Sequence, residues 1–117
     1  MGAPVVWFEV AGRDLAGLTK FYGELFGWKI DAANPMNYGM VDAASEGGIP
    51  GGILAPGEDV EYVTVYASVD DLALSLKKAE KLGAKVVQPP TPIEGGPTVA
   101  MITDPEGHRF GLLQQPA

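Results

Sequence analysis

Two residues in this chain stand where an acid or a base could work. Glu9 lies in "VVWFEV", Val5–Val10, a run that reads as a β-strand. Alternation along it puts Trp7 and Glu9 on one face and Val6, Phe8 and Val10 on the other, against a helix. A carboxylate facing inward is costly to bury unless it is paired or hydrogen-bonded. It could serve as a general base or as the counter-charge for a cationic ligand. It could equally do no more than bond Tyr66 or Arg109, or sit at a wet rim. His108, the only histidine of a cysteine-free chain, lies in "TDPEGHRFGLL", Thr103–Leu113. A lone imidazole invites a metal or a proton. Here it follows a Gly-containing turn, whose backbone angles His tolerates, and the sequence places no carboxylate to orient it. We read it as a turn residue.

Other chemistry is excluded by what is missing. Without cysteine there are no disulfides, thiolate nucleophiles or cysteine zinc sites. "GGIPGG", Gly47–Gly52, lacks the Lys and Ser/Thr of a phosphate loop and reads as a hairpin turn. The net charge of −7, from 15 Asp and Glu against 8 Lys and Arg, is unsuited to nucleic acid; a neutral or cationic small molecule is the easier partner. "KKAEKLGAK" reads as a solvated helix face. No apolar run approaches the roughly 20 residues of a membrane-spanning helix, and Met-Gly-Ala-Pro does not resemble a signal peptide. The expectation is a cytoplasmic protein that binds neither membrane nor nucleic acid.

The elements that must position these residues occur twice. "VVWFEVAGRDLAGLTKFYGELFGWKI" (Val5–Ile30) and "VTVYASVDDLALSLKKAEKLGAKVV" (Val63–Val87) each run from a strand, through Asp-Leu, into an amphipathic helix that ends at a glycine before another strand. Asp14 and Asp71 suit the helix starts, and Gly27 and Gly83 suit left-handed stops. Leu15, Leu18, Phe21, Tyr22, Leu25 and Phe26 form the first apolar stripe, and Leu72, Leu76, Ala79 and Leu82 a weaker second one. Two further strands complete each unit: Asn37–Ala43 and Gly51–Ala55, then Thr98–Asp104 and His108–Gln114. The order is strand–helix–strand–strand–strand, twice: an α+β chain of one domain, 1–117, with module one at 3–55, a linker at 56–61 and module two at 62–115. Neither module could bury a core alone, so the two should share one. "QPPTPIEGGP" reads as an extended, proline-stiffened loop.

The repeat and the stretches "FYGELFGWKI", "SVDDL", "KLGAKVVQPPTPI" and "ITDPEGHRFGLLQ", spread over nearly the whole chain, resemble the vicinal oxygen chelate superfamily of glyoxalases, bleomycin resistance proteins and extradiol dioxygenases. The resemblance implies a curved, eight-stranded half-barrel around a cavity, and a homodimer. It also implies, for metal-using members, four ligands from the first and last strands of the two units. Carried over by pattern, those positions fall on Trp7, Thr64, Gly111 and, in the first unit's last strand, Ile53. Trp, Thr, Gly and Ile cannot hold a divalent metal, so no metal and no cofactor is expected. Alternation adds Tyr66 beside Thr64, with Val63, Val65 and Ala67 facing a helix. Tyr38, Met40 and Met101 complete a wall of aromatic and thioether side chains around one carboxylate. Trp7 would be a stacking platform or core filler, and the methionines ligand contacts or filler. The functional expectation is metal-independent binding of a small cationic or aromatic molecule, as in bleomycin-resistance-type proteins. The alternative is a glyoxalase-like isomerase or lyase using Glu9 as general base or a displaced metal site.

Overall fold

The computed structural model describes residues 2–43, 47–57 and 60–116. Parts of two expected connections, Ser45-Glu46 before the glycine-rich turn and Glu58-Asp59 of the linker, lie outside the described residues. Contacts divide the chain into two compact units, Trp7–Val63 and Met1–Val6 with Thr64–Ala117, called here the amino-terminal and carboxy-terminal units. The element order is β1 (Val5–Ala11), α1 (Leu15–Phe26), β2 (Ile30–Asp31), β3 (Gly39–Val41) and β4 (Gly51–Leu54), then β5 (Tyr62–Ser68), α2 (Leu72–Lys81), β6 (Lys85–Pro92), β7 (Thr98–Thr103) and β8 (Arg109–Gln114). Among the described residues eight strands and two helices make an α+β fold, and strand–helix–strand–strand–strand recurs as the sequence implies. Among the described residues no helix is long and apolar enough to cross a membrane.

In the amino-terminal unit the strands lie in the order β2-β3-β4-β1. The β1–β4 pair is parallel, with Phe8 opposite Gly51, Glu9 opposite Gly52 and Val10 opposite Ile53. The antiparallel β3–β4 pair sets Met40 opposite Gly52 and Val41 opposite Gly51. Val10, Val41 and Ile53 thus share one face, where they pack with Phe8, Leu15, Leu18, Tyr22, Trp28 and Ile30. Asp14 caps α1 by accepting from the Gly17 amide, and Gly27 closes it at φ 70°. Only part of the expected α1 stripe turns inward. Leu15, Leu18 and Tyr22, three and four residues apart, reach the core, while Phe21, Leu25 and Phe26 are each more than half exposed.

In the carboxy-terminal unit the order is β5-β8-β7-β6. Parallel pairing sets Tyr66 opposite Gly111, and antiparallel pairing sets Met101 opposite Gly111 and Ala100 opposite Leu112. Leu72 and Leu76 of α2 bury against Ala100 and Leu112, with Val69, Val86 and Ile102 around them. Two acceptors serve the amides at the start of α2: Asp71 accepts from Leu74 N and the Gln114 side chain from Leu72 N. Gly83 follows the helix at φ 103°. Two expectations change. "QPPTP" is strand, not loop, because β6 runs on to Pro92 along the sheet edge, with register shifts at Gln88 and Thr91; an edge strand tolerates prolines because its outward amides need no partner. Val63, expected to face a helix, is 73% exposed.

Candidate functional site

The strands of each unit have a face away from that unit's helix, and on the amino-terminal unit that face carries a polar network inside an aromatic surround. Glu9 follows Phe8 on β1, so its side chain points opposite to the helix core, and it is 6% exposed. Both carboxylate oxygens accept from phenols: Tyr38 Oη at 2.7 Å to Oε2 and Tyr62 Oη at 2.5 Å to Oε1. Tyr38 Oη in turn accepts from Trp7 Nε1 at 2.9 Å. The Trp7 and Tyr38 rings lie 6.5 Å apart at 28°. Backbone geometry explains how Tyr38 arrives. Asn34 holds its amide and its carbonyl, at 3.0 and 2.6 Å, and its ring lies over Gly52, where a Cβ would occupy the ring's place. The two phenols give the buried Glu9 carboxyl the hydrogen-bond partners that a polar group removed from water requires.

The equivalent face of the carboxy-terminal unit is furnished differently. Tyr66, on β5, is 6% exposed and lies over Gly111, again where a Cβ would clash with the ring. Thr64 is also buried, and its hydroxyl donates to the Arg109 carbonyl at 2.8 Å. Met101, 1% exposed, receives an Arg109 guanidinium N–H on its sulfur at 3.3 Å.

Of the residues expected to line a site, the structure brings Trp7, Glu9 and Tyr38 into one hydrogen-bonded group and puts Met40, 45% exposed, on the same face through its pairing with Gly52. Thr64, Tyr66, Met101 and Gly111 share a face of their own unit. Ile53 does not belong. It is fully buried on the helix side with Val10 and Val41, because the β1–β4 register aligns Gly52, not Ile53, with Glu9. A one-residue slip in a strand turns a side chain to the other face. Tyr62 is the residue that sequence reasoning missed. It stands two positions before Thr64 in β5, so carrying the same alternation one step back would have found it.

The corrected ligand positions are Trp7 and Gly52 in one unit and Thr64 and Gly111 in the other. They offer one hydroxyl, already bonded to a backbone carbonyl, and no imidazole or carboxylate. The two glycines lie under tyrosine rings, which leaves no room for a longer side chain. These residues do not fit the four-ligand divalent site of metal-using vicinal oxygen chelate proteins. Among the described residues no three His, Asp or Glu side chains gather as a metal-binding group.

His108 sits on the exposed turn between β7 and β8, where Asp104 accepts from the amides of Glu106 and His108. The carboxylate missing from the sequence reading is Asp104 itself, 3.0 Å from His108 Nδ1. The His108 amide holds the Asp104 carboxyl below its usual value of 3.8, aided by the Glu106 amide and the imidazole and opposed by partial desolvation. The pair lies on an open surface, with the imidazole 72% exposed, and serves the turn.

Comparison with known proteins adds the family context. A family model described as Glyoxalase/Bleomycin resistance protein/Dioxygenase superfamily matches residues 5–112. The chain is 28% identical over 131 residues to the anthracycline biosynthesis protein DnrV of Streptomyces peucetius, covering 97% of this chain and 47% of that one. It thus spans about half the length of that curated relative. A shorter match, 43% identical over 49 residues, covers 41% of the chain and 14% of a probable chloroplastic lactoylglutathione lyase of Arabidopsis thaliana. Among solved structures, a glyoxalase/bleomycin resistance protein/dioxygenase superfamily member from Vibrio splendidus 12B01 superposes with a TM-score of 0.65 at 14% identity, covering 97% of this chain and 99% of that one.

Proposed function

The chain belongs to the glyoxalase/bleomycin resistance protein/dioxygenase superfamily, and we propose that within it this protein is a metal-independent, cytoplasmic, homodimeric binder of a small planar aromatic molecule. The observation that carries the reading is the Trp7–Tyr38–Glu9–Tyr62 network. It fixes an indole and two phenols around one carboxylate, so the rings are ordered before a ligand arrives and little entropy is lost on stacking against them. The acidic balance favours a ligand that is neutral or cationic. The relative named for anthracycline biosynthesis supports a fused-ring, oxygen-bearing aromatic as the ligand class.

The test is a calorimetric titration with an anthracycline. The expected dissociation constant is on the order of micromolar, weakened about tenfold or more in Trp7→Ala. Heat release no different from buffer, or equal affinity in Trp7→Ala, would overturn the proposal.

The enzymatic alternative has one observation in its favour. If Glu9 takes a proton from a carbon beside a carbonyl, the electron pair left behind moves to the carbonyl oxygen and needs a donor there. The phenols of Tyr38 and Tyr62 each donate their one proton to Glu9; once the Glu9 carboxylate has taken the carbon's proton it is a weaker acceptor, and a phenol O–H could turn from it to the carbonyl oxygen. Turnover of a ketone or hemithioacetal that vanishes in Glu9→Gln, while aromatic binding persists, would favour this reading over simple binding.

A further inference from the structure

Tyr38 lies on the open face of the amino-terminal unit much as a bound molecule would. Its ring rests on Gly52, where any side chain would have to fill the ring's place; a glycine lets the backbone be approached this closely. The Trp7 indole stands beside it, 6.5 Å away and inclined by 28°. The Tyr38 hydroxyl works in both directions, accepting from Trp7 Nε1 at 2.9 Å and donating to Glu9 Oε2 at 2.7 Å. The surroundings of this phenol therefore describe a receptor for a flat ring bearing one hydroxyl.

The receptor and its occupant are anchored differently. Trp7 and Glu9 stand on β1, Gly52 stands on β4 in register with Glu9, and Tyr62 of β5 holds the second carboxylate oxygen. Tyr38 comes instead from the turn before β3 and is half-buried. The residues behind it, 35–37, are exposed, and Asn37 takes a left-handed φ of 49°. Asn34 fixes the backbone of this turn, accepting from the Met36 and Tyr38 amides at 3.2 and 3.0 Å and donating to the Tyr38 carbonyl at 2.6 Å. Rotation about the Tyr38 side-chain bonds would clear Gly52 and leave those backbone bonds in place. A ligand hydroxyl arriving there would remake both bonds that the phenol gives up, so no buried partner is left unpaired.

The same geometry selects among ligands. A carbonyl or ether oxygen could accept from Trp7, but it would set a lone pair against the buried Glu9 carboxyl. A carboxylate would add like charge. The remaining rings of a fused ligand would extend over Met40, 45% exposed and one strand further on, about 5 Å from Gly52.

We propose that Tyr38 is a built-in occupant of a phenol-binding site made by Trp7 Nε1, Glu9 Oε2 and the Gly52 backbone, and that a hydroxylated flat aromatic binds by displacing the Tyr38 ring and taking over its two hydrogen bonds. This rests on the reading that the face binds a flat aromatic against Trp7, and narrows it to phenols.

The test follows the Trp7 indole signal of labelled protein during titration with 2-naphthol and, separately, with 2-methoxynaphthalene. Wild type should bind the naphthol about tenfold more tightly than the ether. Tyr38→Ala removes the competing ring and should bind 2-naphthol about fivefold or more tightly than wild type does. Should Tyr38→Ala lose its circular dichroism spectrum, Asn34→Ala, which keeps the ring and loosens its turn, should shift affinity in the same direction. Weaker naphthol binding in the variant that folds would make Tyr38 a fixed wall and overturn the proposal. Equal affinity for naphthol and ether, with the Trp7 signal moving, would overturn it and leave the flat-aromatic reading intact. A Trp7 signal indifferent to both probes would overturn both.

Discussion

The open faces of the two units share a frame and differ in what stands on it. In each, a glycine on the last strand lies opposite the second inward residue of the first, Gly52 by Glu9 and Gly111 by Tyr66. In each, a tyrosine ring covers that glycine. In the carboxy-terminal unit the ring belongs to β5, and Tyr66 is nearly fully buried. In the amino-terminal unit the covering ring comes from the turn before β3, held at its backbone by Asn34 and only half-buried. A ring supplied from a turn frees the strand position for a carboxylate, and the polar network of Trp7, Tyr38, Glu9 and Tyr62 follows from that freedom. One scaffold thus provides a packed face and a face with chemistry on it, and the difference rests on which element contributes the tyrosine.

The comparison can be tested by substitution, and the largest effect belongs to the packed face. Gly111→Ala drives a methyl group into the Tyr66 ring, which has nowhere to go. We expect a loss of about 2–3 kcal/mol in urea unfolding. Gly52→Ala should cost about 1 kcal/mol, because Tyr38 can swing toward solvent, and should disturb Trp7 fluorescence. Equal losses at both glycines would contradict the distinction. Tyr38→Phe removes one donor from buried Glu9 and the acceptor of the Trp7 indole, at an expected cost of about 2 kcal/mol by the same measurement. Thr64→Val, which removes a neutral hydroxyl bond to the Arg109 carbonyl, should cost about 1 kcal/mol. A Thr64→Val loss exceeding that of Tyr38→Phe would reverse the account of where the polar energetics lie.

The smallest effect is at the exposed turn. Since the Asp104 carboxyl is held below 3.8 in the folded protein, its ionised form favours folding. That contribution is present in full above the ordinary aspartate range and fades as the pH falls through the depressed value. Thermal unfolding of wild type and Asp104→Asn should differ slightly at neutral pH and converge as the pH falls through the depressed carboxyl value. A gap that widens on acidification would have the wrong sign.

How far the sequence anticipates this structure depends on which signals were local. The Asp caps and glycine stops of both helices were legible because capping is a matter of three or four adjacent residues. Trp7 and Glu9 were legible because β1 alternates over six residues. Ile53 was misplaced because Gly-Gly-Ile-Leu has no alternation to read, and its face is decided by pairing with β1, 43 residues away at the Val10–Ile53 step. Tyr62 escaped because the strand was started one residue late, at Val63. The prolines of β6 obscured a strand that is tolerated only because it lies at an edge. The outward half of the α1 stripe could not be told from the buried half, since periodicity shows that a face is apolar and not what covers it.

The central claim is that the open face of the amino-terminal unit binds a flat aromatic molecule against Trp7. The chain has two tryptophans, Trp7 on that face and Trp28 in the helix-side cluster, so its indole N–H groups give two signals in a nitrogen–proton correlation spectrum. Titrating a dihydroxyanthraquinone into labelled protein, the account predicts a saturable shift of the Trp7 indole signal, whose proton is bonded to Tyr38, while the Trp28 signal stays in place. A Trp7 signal that does not move at saturating ligand, or a shift confined to Trp28, would contradict it.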